Sequence, residues 1–222
     1  MILDNRKNRV SFFQKTVLKW FEKNGRKYPW RAEKNTYKKL IAEIMLQRTR
    51  VEQVLPVYEK FVKKYPDLKS VSEAAENDIS KFISKLGLFW RSRAIKKMAE
   101  FIISEYSGRI PAERAKLLEI PGIDNYIADA MIVFAFNGKR TVIDGNVVRL
   151  ATRFFGMEKK PEIRRNREFI TFCQSLSEDL ETAEVEGFNY SLIDFSAAIC
   201  KQKPLCVSCP LSKMCSYFLE RK

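Results

Sequence analysis

The sequence of 222 residues contains no histidine. Imidazole is the usual proton carrier near neutral pH and a frequent metal ligand, so its absence excludes histidine acid–base catalysis, Ser-His-Asp triads and histidine metal sites. Any chemistry that the chain performs must therefore come from carboxylates, tyrosine or cysteine.

Long apolar runs are also missing from the sequence. No segment approaches the roughly 18 consecutive apolar residues of a membrane span, and the first residues, MILDNRKNRV, lack the apolar core of a signal peptide. Internal repeats, low-complexity tracts and obvious flexible linkers are missing too. We therefore predict an intracellular, cytoplasmic protein without a membrane partner, built as one large domain or as two closely packed lobes.

Acidic residues are few relative to basic ones, with 27 Asp and Glu against 41 Lys and Arg, a formal net charge of +14 and a pI near 9.6. This excess favours polyanionic partners, nucleic acid first. A generally basic surface without such a partner is the alternative, and charge alone leaves it open.

Period-two strand patterns are absent, and apolar residues recur instead at spacings of three and four. This pattern predicts a nearly all-α chain. Segment 28–31 is the exception, and we expect it to be extended because Pro29 disfavours helical backbone at Tyr28. Polar residues at 47–50 interrupt one long helical region. The expected helices cover residues 9–23, 37–64, 79–86, 94–102, 147–155, 169–180 and 188–199.

Four of the five cysteines are concentrated near the end of the sequence. Their spacing, C-x5-C-x2-C-x5-C, is typical of a metal-binding knot. Disulfide bonds are the alternative, but an intracellular compartment disfavours them. Zinc and a [4Fe-4S] cluster both accept four thiolates, and the spacing alone leaves the two open. The predicted metal ligands are Cys200, Cys206, Cys209 and Cys215.

The fifth cysteine, Cys173, lies in an apolar helical segment and is expected to be a buried packing residue. Between the first two predicted ligands, segment 201–205 is basic, and a bound metal would hold it rigid. Lys203 could then meet a phosphate, although a lysine on a solvated loop is the plain alternative.

Segment 117–126 has the pattern of two helices joined by a tight turn at Pro121-Gly122. Gly122 can adopt positive φ, which would direct the backbone amides at the start of the second helix toward a DNA phosphate without reading sequence. An ordinary αα-hairpin in a helical bundle would have the same pattern.

Asp144 follows the β-branched run 141–143 and stands where a helix N-cap belongs. Its carboxylate could simply accept hydrogen bonds from the amides of Asn146 or Val147. A carboxylate held at a helix start could also oppose positive charge that develops on a sugar, and the two roles are compatible.

Together, the hairpin, the motif VIDGNVVR around Asp144 and the four cysteines resemble the helix-hairpin-helix DNA glycosylase superfamily, the relatives of endonuclease III. The similarity runs from YPWR at Tyr28 to Cys215. It implies an all-α, two-lobed fold, with one lobe formed by residues 31–136, including the hairpin 117–130, and the other by residues 1–30 and 137–222. It also implies that the cysteine loop holds a [4Fe-4S] cluster, with zinc as the alternative, and that a monomer acts on double-stranded DNA at the nucleoid.

Members of that superfamily swing one nucleotide out of the duplex and break its N-glycosidic bond. By this resemblance, Asp144 would stabilise the oxocarbenium-like sugar or activate water. Tyr126 stands where bifunctional members carry a lysine nucleophile, so no lyase step is expected. Glu43 would hydrogen-bond or protonate the extruded base, in a pocket also lined by Tyr126, Trp30 and Arg31.

The resemblance also assigns the expected DNA contacts. Gln47 and Arg48 would enter the base stack in place of the extruded nucleotide, with a plain phosphate contact as the alternative for Arg48. The other expected DNA contacts are Gly122, Ile123, Asp124, Asn146 and Lys203.

Two branches of the superfamily share YPWR, AEIMLQRT and a tyrosine at position 126: MutY-type adenine glycosylases and Mig-type mismatch glycosylases. Arg48, the runs LIDFSAAIC and SKMCSYF, and the end of the chain seven residues after Cys215 favour the Mig type, whereas IDGNVVR and MLQRTRVEQV favour MutY. We therefore expect removal of thymine or uracil opposite guanine. Adenine removal from A:G or A:oxidised-guanine pairs is the alternative. A damage-binding protein without catalysis is a second one, against which the retained Asp144 argues.

Two departures from the superfamily pattern concern the DNA-facing loops. Asp124 replaces the second glycine of the hairpin; it can tolerate a left-handed conformation, but it puts a negative charge beside the expected phosphate site. The first cysteine spacing is one residue shorter than usual, which affects the shape of the loop more than cluster formation.

Overall fold

A computed structural model describes residues 2–87, 90–158 and 160–221. All regular structure within these ranges is helical, which confirms the all-α prediction. The helices are α1 (Ile2–Asn24), α2 (Pro29–Ala32), α3 (Thr36–Leu46), α4 (Val51–Lys64), α5 (Leu68–Glu73), α6 (Glu76–Ile83), α7 (Trp90–Tyr106), α8 (Arg114–Glu119), α9 (Asn125–Phe134), α10 (Gly145–Phe155), α11 (Arg167–Ser175), α12 (Thr182–Ala198) and α13 (Ser216–Leu219). None of these helices is both long and apolar enough to cross a bilayer.

The chain divides into two compact units. Unit 1 consists of Met1–Arg26 and Asn137–Lys222, and unit 2 consists of Lys27–Phe136. Helices α2 to α9 therefore belong to unit 2, and α1 and α10 to α13 belong to unit 1.

The core of unit 2 is organised around α3, which packs against α4 and α9. Leu40, Ile41 and Met45 of this helix are fully buried. Burying each such side chain stabilises the fold by roughly 1.5–3 kcal/mol. Because α3 and α9 are neighbours, Glu43 and Tyr126 are brought together.

Unit 1 is built on α12, which packs against α1 and α10. Phe13 of α1 contacts the rings of Phe154, Phe155 and Phe188, with centroids 5.0, 5.3 and 6.3 Å away. Helix α10 ends at Gly156, which takes the left-handed conformation (φ 69°) that favours glycine at this position. This packing fixes the direction of α10, at whose N-terminus Asp144 stands.

The expectation of an extended segment at 28–31 is wrong, because Pro29–Ala32 form α2. Tyr28 is extended, with φ −129° and ψ 147°, as its place before proline requires. Pro29 itself occupies the first helical position, where its missing N–H costs nothing. Several expected boundaries also differ. For example, α1 begins at Ile2 rather than at residue 9, the helix expected over 169–180 ends at Ser175, and the next begins at Thr182 rather than at residue 188.

Candidate functional site

Glu43 on α3 and Tyr126 on α9 form a hydrogen-bonded pair inside unit 2. The hydroxyl of Tyr126 donates to Oε2 of Glu43 at 3.3 Å. Only 6% of Glu43 is exposed, and its neighbours on α3 are apolar residues of the core. A carboxyl group in such surroundings is costly unless it has partners, which makes this pair the strongest candidate for chemistry in the unit.

Burial raises the pKa of Glu43 to about 7. The hydrogen bond from Tyr126 and the positive charges of Arg31 and Lys39 act in the opposite direction and limit the rise. The group is therefore partly protonated near neutral pH, which is the condition under which a carboxyl can act as an acid or as a base.

Trp30, expected to line a base pocket, lies mainly in the core of unit 2. It is 3% exposed, stacks on Tyr28 with ring centroids 5.0 Å apart, and meets Tyr58 edge-on at 5.3 Å. The Arg31 guanidinium carbon lies 5.2 Å from the Tyr28 ring centroid. Trp30 therefore packs in the core of unit 2, and its contact with a base stays a prediction.

The turn between α8 and α9 has the expected geometry at Gly122, with φ 87°. Ile123 is largely buried, and its amide donates to the Ile120 carbonyl at 3.1 Å within the turn. Asp124 does not take the left-handed conformation that we considered, because φ −97° and ψ −179° make it an extended N-cap. Its Oδ1 accepts from the Ile127 amide at 3.0 Å.

Asp124 also holds Gln47, one of the two residues expected to enter the base stack. The Gln47 side-chain amide donates to Oδ2 of Asp124 at 2.8 Å. The neighbouring Arg48 is exposed and has a positive φ of 56°. The substitution at the second hairpin glycine therefore couples the hairpin to the segment after α3.

Sequence reasoning missed Arg91, which lies beneath this segment. Arg91 is 1% exposed, and its Nη1 donates to the Met45 carbonyl at 3.1 Å and to the Thr49 hydroxyl at 3.3 Å. Burial, and then the charge of Arg48, lower the pKa of Arg91 to about 10. Arginine is so seldom buried that no local pattern indicates this contact.

In unit 1, Asp144 is the N-cap of α10, as predicted. Its Oδ1 accepts from the amides of Asn146 at 2.8 Å and Val147 at 2.7 Å. Its Oδ2 accepts from the Asn146 side-chain amide at 2.8 Å. Three donors thus hold the carboxylate in one orientation at a helix N-terminus, where negative charge is stabilised.

Asn146 is held in turn by Arg149, which sequence reasoning also missed. Arg149 donates to the Asn146 side-chain oxygen at 2.9 Å, to the Ser196 carbonyl at 3.2 Å and to the Cys200 carbonyl at 2.7 Å. A chain of hydrogen bonds therefore runs from the first cysteine of the knot to Asp144.

The four clustered cysteines are free thiols that line one cavity together with residues of α10. Arg153, four residues after Arg149 on α10, donates to the Cys200 sulfur at 3.6 Å and to the carbonyls of Lys201 at 2.5 Å and Gln202 at 3.0 Å. Arg149 and Arg153 are four residues apart and therefore lie on one face of α10, and this spacing is the sequence signal that could have indicated both contacts. Among the residues described, no three cysteine or acidic side chains are arranged to hold a metal ion.

The remaining residues singled out in the sequence are two cysteines and Lys203. Burial raises the pKa of Cys209 to about 11 and that of Cys173 to about 12. Cys173 is fully buried in α11, which confirms its packing role. Lys203 is exposed, and it follows Lys201 and Gln202, whose carbonyls accept hydrogen bonds from Arg153.

The chain is similar to known proteins along most of its length. A family model described as HhH-GPD superfamily base excision DNA repair protein matches residues 41–174. A thymine/uracil-DNA glycosylase of Methanothermobacter thermautotrophicus is 33% identical over 216 residues, 96% of this chain and 96% of that protein. An adenine DNA glycosylase of Buchnera aphidicola subsp. Baizongia pistaciae is 35% identical over 214 residues, which are 95% of this chain but 59% of that protein.

Solved structures agree with these sequence matches. A thermostable thymine-DNA glycosylase gives a TM-score of 0.91 at 32% identity, over 97% of this chain and 99% of that one. A non-covalent complex of endonuclease III with DNA gives a TM-score of 0.81 at 21% identity, over 97% of both chains, which establishes a shared fold.

Proposed function

The chain belongs to the HhH-GPD superfamily of base excision DNA repair proteins, and we propose that it removes thymine or uracil mispaired with guanine from double-stranded DNA. The observation that carries this proposal is the similarity to a thymine/uracil glycosylase over 96% of both sequences. The buried pair of Glu43 and Tyr126 supplies a fitting chemistry, since it combines a group that can hold a proton with a hydroxyl that orients it.

The base is the leaving group of this reaction. Near neutral pH, protonated Glu43 can donate a hydrogen bond to a carbonyl of the extruded pyrimidine, or its proton, as the base departs. Tyr126 holds the carboxyl group in place, and Arg31 contributes positive charge beside it. A pyrimidine paired wrongly with guanine costs less to extrude than a properly paired one, which contributes selectivity.

The sugar acquires positive charge as the bond between C1′ and the base nitrogen lengthens. Asp144, fixed by three hydrogen bonds, stabilises that charge, and water then adds to C1′. The products are the free base and an abasic site. Tyr126 carries no amine that could form a Schiff base, so we propose that the reaction stops there.

DNA is held mainly through its phosphates, as the net charge of +14 favours. Gln47 and Arg48 enter the stack when the nucleotide leaves it. The phosphate and sugar contacts come from Gly122, Ile123, Asn146 and Lys203, and Asp124 lies beside the phosphate at the hairpin turn. We propose that the chain acts as a monomer, inside the cell, on chromosomal DNA.

The four cysteines are proposed to hold a [4Fe-4S] cluster. Four free thiols that line one cavity, with two arginines ordering the surrounding chain, support this proposal, although no three of these thiols are arranged as ligands of a single metal ion in the part of the chain that the structure describes. When bound, the cluster would act as a structural cross-link of segment 200–215. A visible absorption band together with iron and sulfide in the purified protein would support this proposal, and a colourless protein loaded with zinc would contradict it.

Adenine removal is a second candidate function, favoured by the 35% identity to an adenine glycosylase, of which the chain spans about three fifths. The test uses purified protein and duplexes that carry T:G, U:G, A:G or A:oxidised-guanine pairs, with alkaline cleavage of abasic sites. We expect cleavage of the thymine and uracil strands. Cleavage of the adenine strand alone would support the second function, and no cleavage would contradict both.

The role of Asp144 is tested on the same duplexes. Asp144→Asn keeps an oxygen that can cap α10 but removes the negative charge, so excision should fall at least about 100-fold while DNA binding persists. Unchanged excision by this variant would remove Asp144 from the mechanism.

A further inference from the structure

Segment 140–142 leads directly to Asp144 but forms neither helix nor strand. Gln174 of α11 nevertheless forms with the Thr141 backbone the hydrogen bonds that a neighbouring β-strand would form. Its side chain accepts a hydrogen bond from the Thr141 amide at 3.0 Å and donates one to the Thr141 carbonyl at 3.0 Å. This mutual pair of bonds is the one that two opposed residues make in an antiparallel ladder.

Asn189 of α12 binds the remaining donor and acceptor of the same two peptide groups, on their opposite side. It accepts from the Val142 amide at 2.7 Å and donates to the Arg140 carbonyl at 2.9 Å. Asn189 is only 1% exposed, and Thr141 and Val142 are equally buried. A side-chain amide has the donor and acceptor of a peptide group, so two of them can replace two missing strands.

These four bonds determine where the chain enters α10. Apolar packing of Thr141 and Val142 would tolerate a small slide of the segment along its own direction, whereas a slide would break every one of the four amide bonds. The Val142 amide lies two residues before Asp144, whose carboxylate is oriented by the first turn of α10. The bonds therefore set the position of the carboxylate, and α10 sets its direction.

We propose that Gln174 and Asn189 are positioning residues of the glycosylase reaction, which locate Asp144 against the sugar by acting as substitute strands for segment 140–142. This proposal rests on the proposed function. A displacement of about 1 Å in a reacting group can reduce a rate about 100-fold, so the four bonds have kinetic consequences although neither side chain touches DNA.

The test compares Gln174→Met, which keeps the side-chain length and removes both bonds, with Asn166→Ala. Asn166 caps the other end of the same helix by accepting from the Phe169 amide at 2.9 Å, so its loss weakens α11 without touching segment 140–142. Excision from a U:G duplex is followed in single turnover with enzyme in excess. The rate constant reports on positioning, and the amplitude reports on the fraction of folded enzyme.

Gln174→Met is expected to lower the rate constant about 10- to 100-fold at full amplitude, with unchanged affinity for a duplex that carries an uncleavable nucleotide. Asn166→Ala should keep the wild-type rate constant. Asn189→Ala should act in the same direction as Gln174→Met. A wild-type rate constant for Gln174→Met, or a loss of amplitude alone, would overturn the proposal.

Amide hydrogen exchange separates this proposal from the proposed function. Segment 140–147 should exchange faster in Gln174→Met than in wild-type protein or in Asn166→Ala. Unchanged protection of this segment contradicts the positioning role, whether or not the wild-type protein cleaves DNA. A wild-type protein that cleaves no duplex contradicts the proposed function instead.

Discussion

Glu43 is a buried carboxyl group whose pKa lies near 7, so its protonation changes within the range in which excision is measured. Its two main influences have opposite signs, because burial favours the neutral form and the Tyr126 hydrogen bond favours the charged one. If the protonated form serves the departing base, excision must slow as the pH rises above about 7.

Tyr126→Phe removes one oxygen atom and so tests how far the Tyr126 hydrogen bond lowers the pKa of Glu43. The variant lacks the bond that stabilises the carboxylate, so the pKa of Glu43 should rise, and the descending part of the profile of rate against pH should move to higher pH. The measurement is the single-turnover rate constant on a U:G duplex between pH 5.5 and 9.

Tyr106→Phe is a matched control within the same unit. Tyr106 donates to Glu119 at 2.7 Å, and that bond is exposed. Its removal should leave the pH profile unchanged. A profile of Tyr126→Phe that coincides with the wild-type profile would mean that Glu43 does not govern the pH dependence.

The hairpin of α8 and α9 differs from its superfamily pattern at one position, and the structure assigns that position two tasks. Asp124 caps α9 through Oδ1 and holds Gln47 through Oδ2. Its charge would also oppose the phosphate that we propose at the turn. The proposed insertion of Gln47 into DNA would break its hydrogen bond to Asp124, so Asp124 should weaken binding to every duplex.

Asp124→Asn isolates the contribution of the charge. Asparagine caps a helix as well as aspartate does, and its side-chain NH2 can donate to the Gln47 side-chain oxygen once the Gln47 amide turns over. Affinity for matched duplexes should rise severalfold, and the slope of log K against log salt should become steeper by up to about 1. Fluorescence anisotropy with a labelled duplex at several salt concentrations measures both quantities.

Asp67→Asn provides the control for net charge. Asp67 caps α5 by accepting from the Ser70 amide at 2.8 Å, and the change alters the formal charge by the same amount. Equal effects of the two variants would mean that charge alone, rather than the place of Asp124 in the hairpin, determines the affinity.

The helical elements could be predicted from sequence because their signals are local. The cap at Asp144, the apolar positions of α10 and the stop at Gly156 all lie within 13 residues. Segment 28–31 was misjudged because proline at a first helical position and proline before an extended residue look alike in sequence.

At the scale of the whole molecule, the parts of the site that sequence did not predict are polar contacts between distant segments. Arg91 meets Met45 and Asn189 meets Val142 across 46 and 47 residues. Spacing along one helix cannot reveal such pairs, since each partner satisfies a backbone group that only the folded chain presents. The resemblance to glycosylases pointed to Glu43, Tyr126 and Asp144, but not to Arg91, Arg149 or Asn189.

The net charge of +14 also belongs to the whole chain, and it leads to a prediction about salt. Each phosphate that a lysine or arginine neutralises adds about 0.9 to the salt slope of binding. Lys203→Gln should therefore weaken binding to matched and mismatched duplexes equally, lower the slope by about 1, and leave the rate constant at saturating enzyme unchanged. Binding isotherms at several salt concentrations measure the slope.

Lys69→Gln separates a phosphate contact from a general effect of charge. Lys69 is largely exposed, and its ammonium group lies 3.8 Å from Glu73 in an exposed ion pair, which contributes little to stability. Both variants change the net charge by one, but only the loss of a lysine that touches phosphate releases one counterion fewer. If the two variants lower the slope equally, Lys203 is not a phosphate contact and the basic loop is a solvated one.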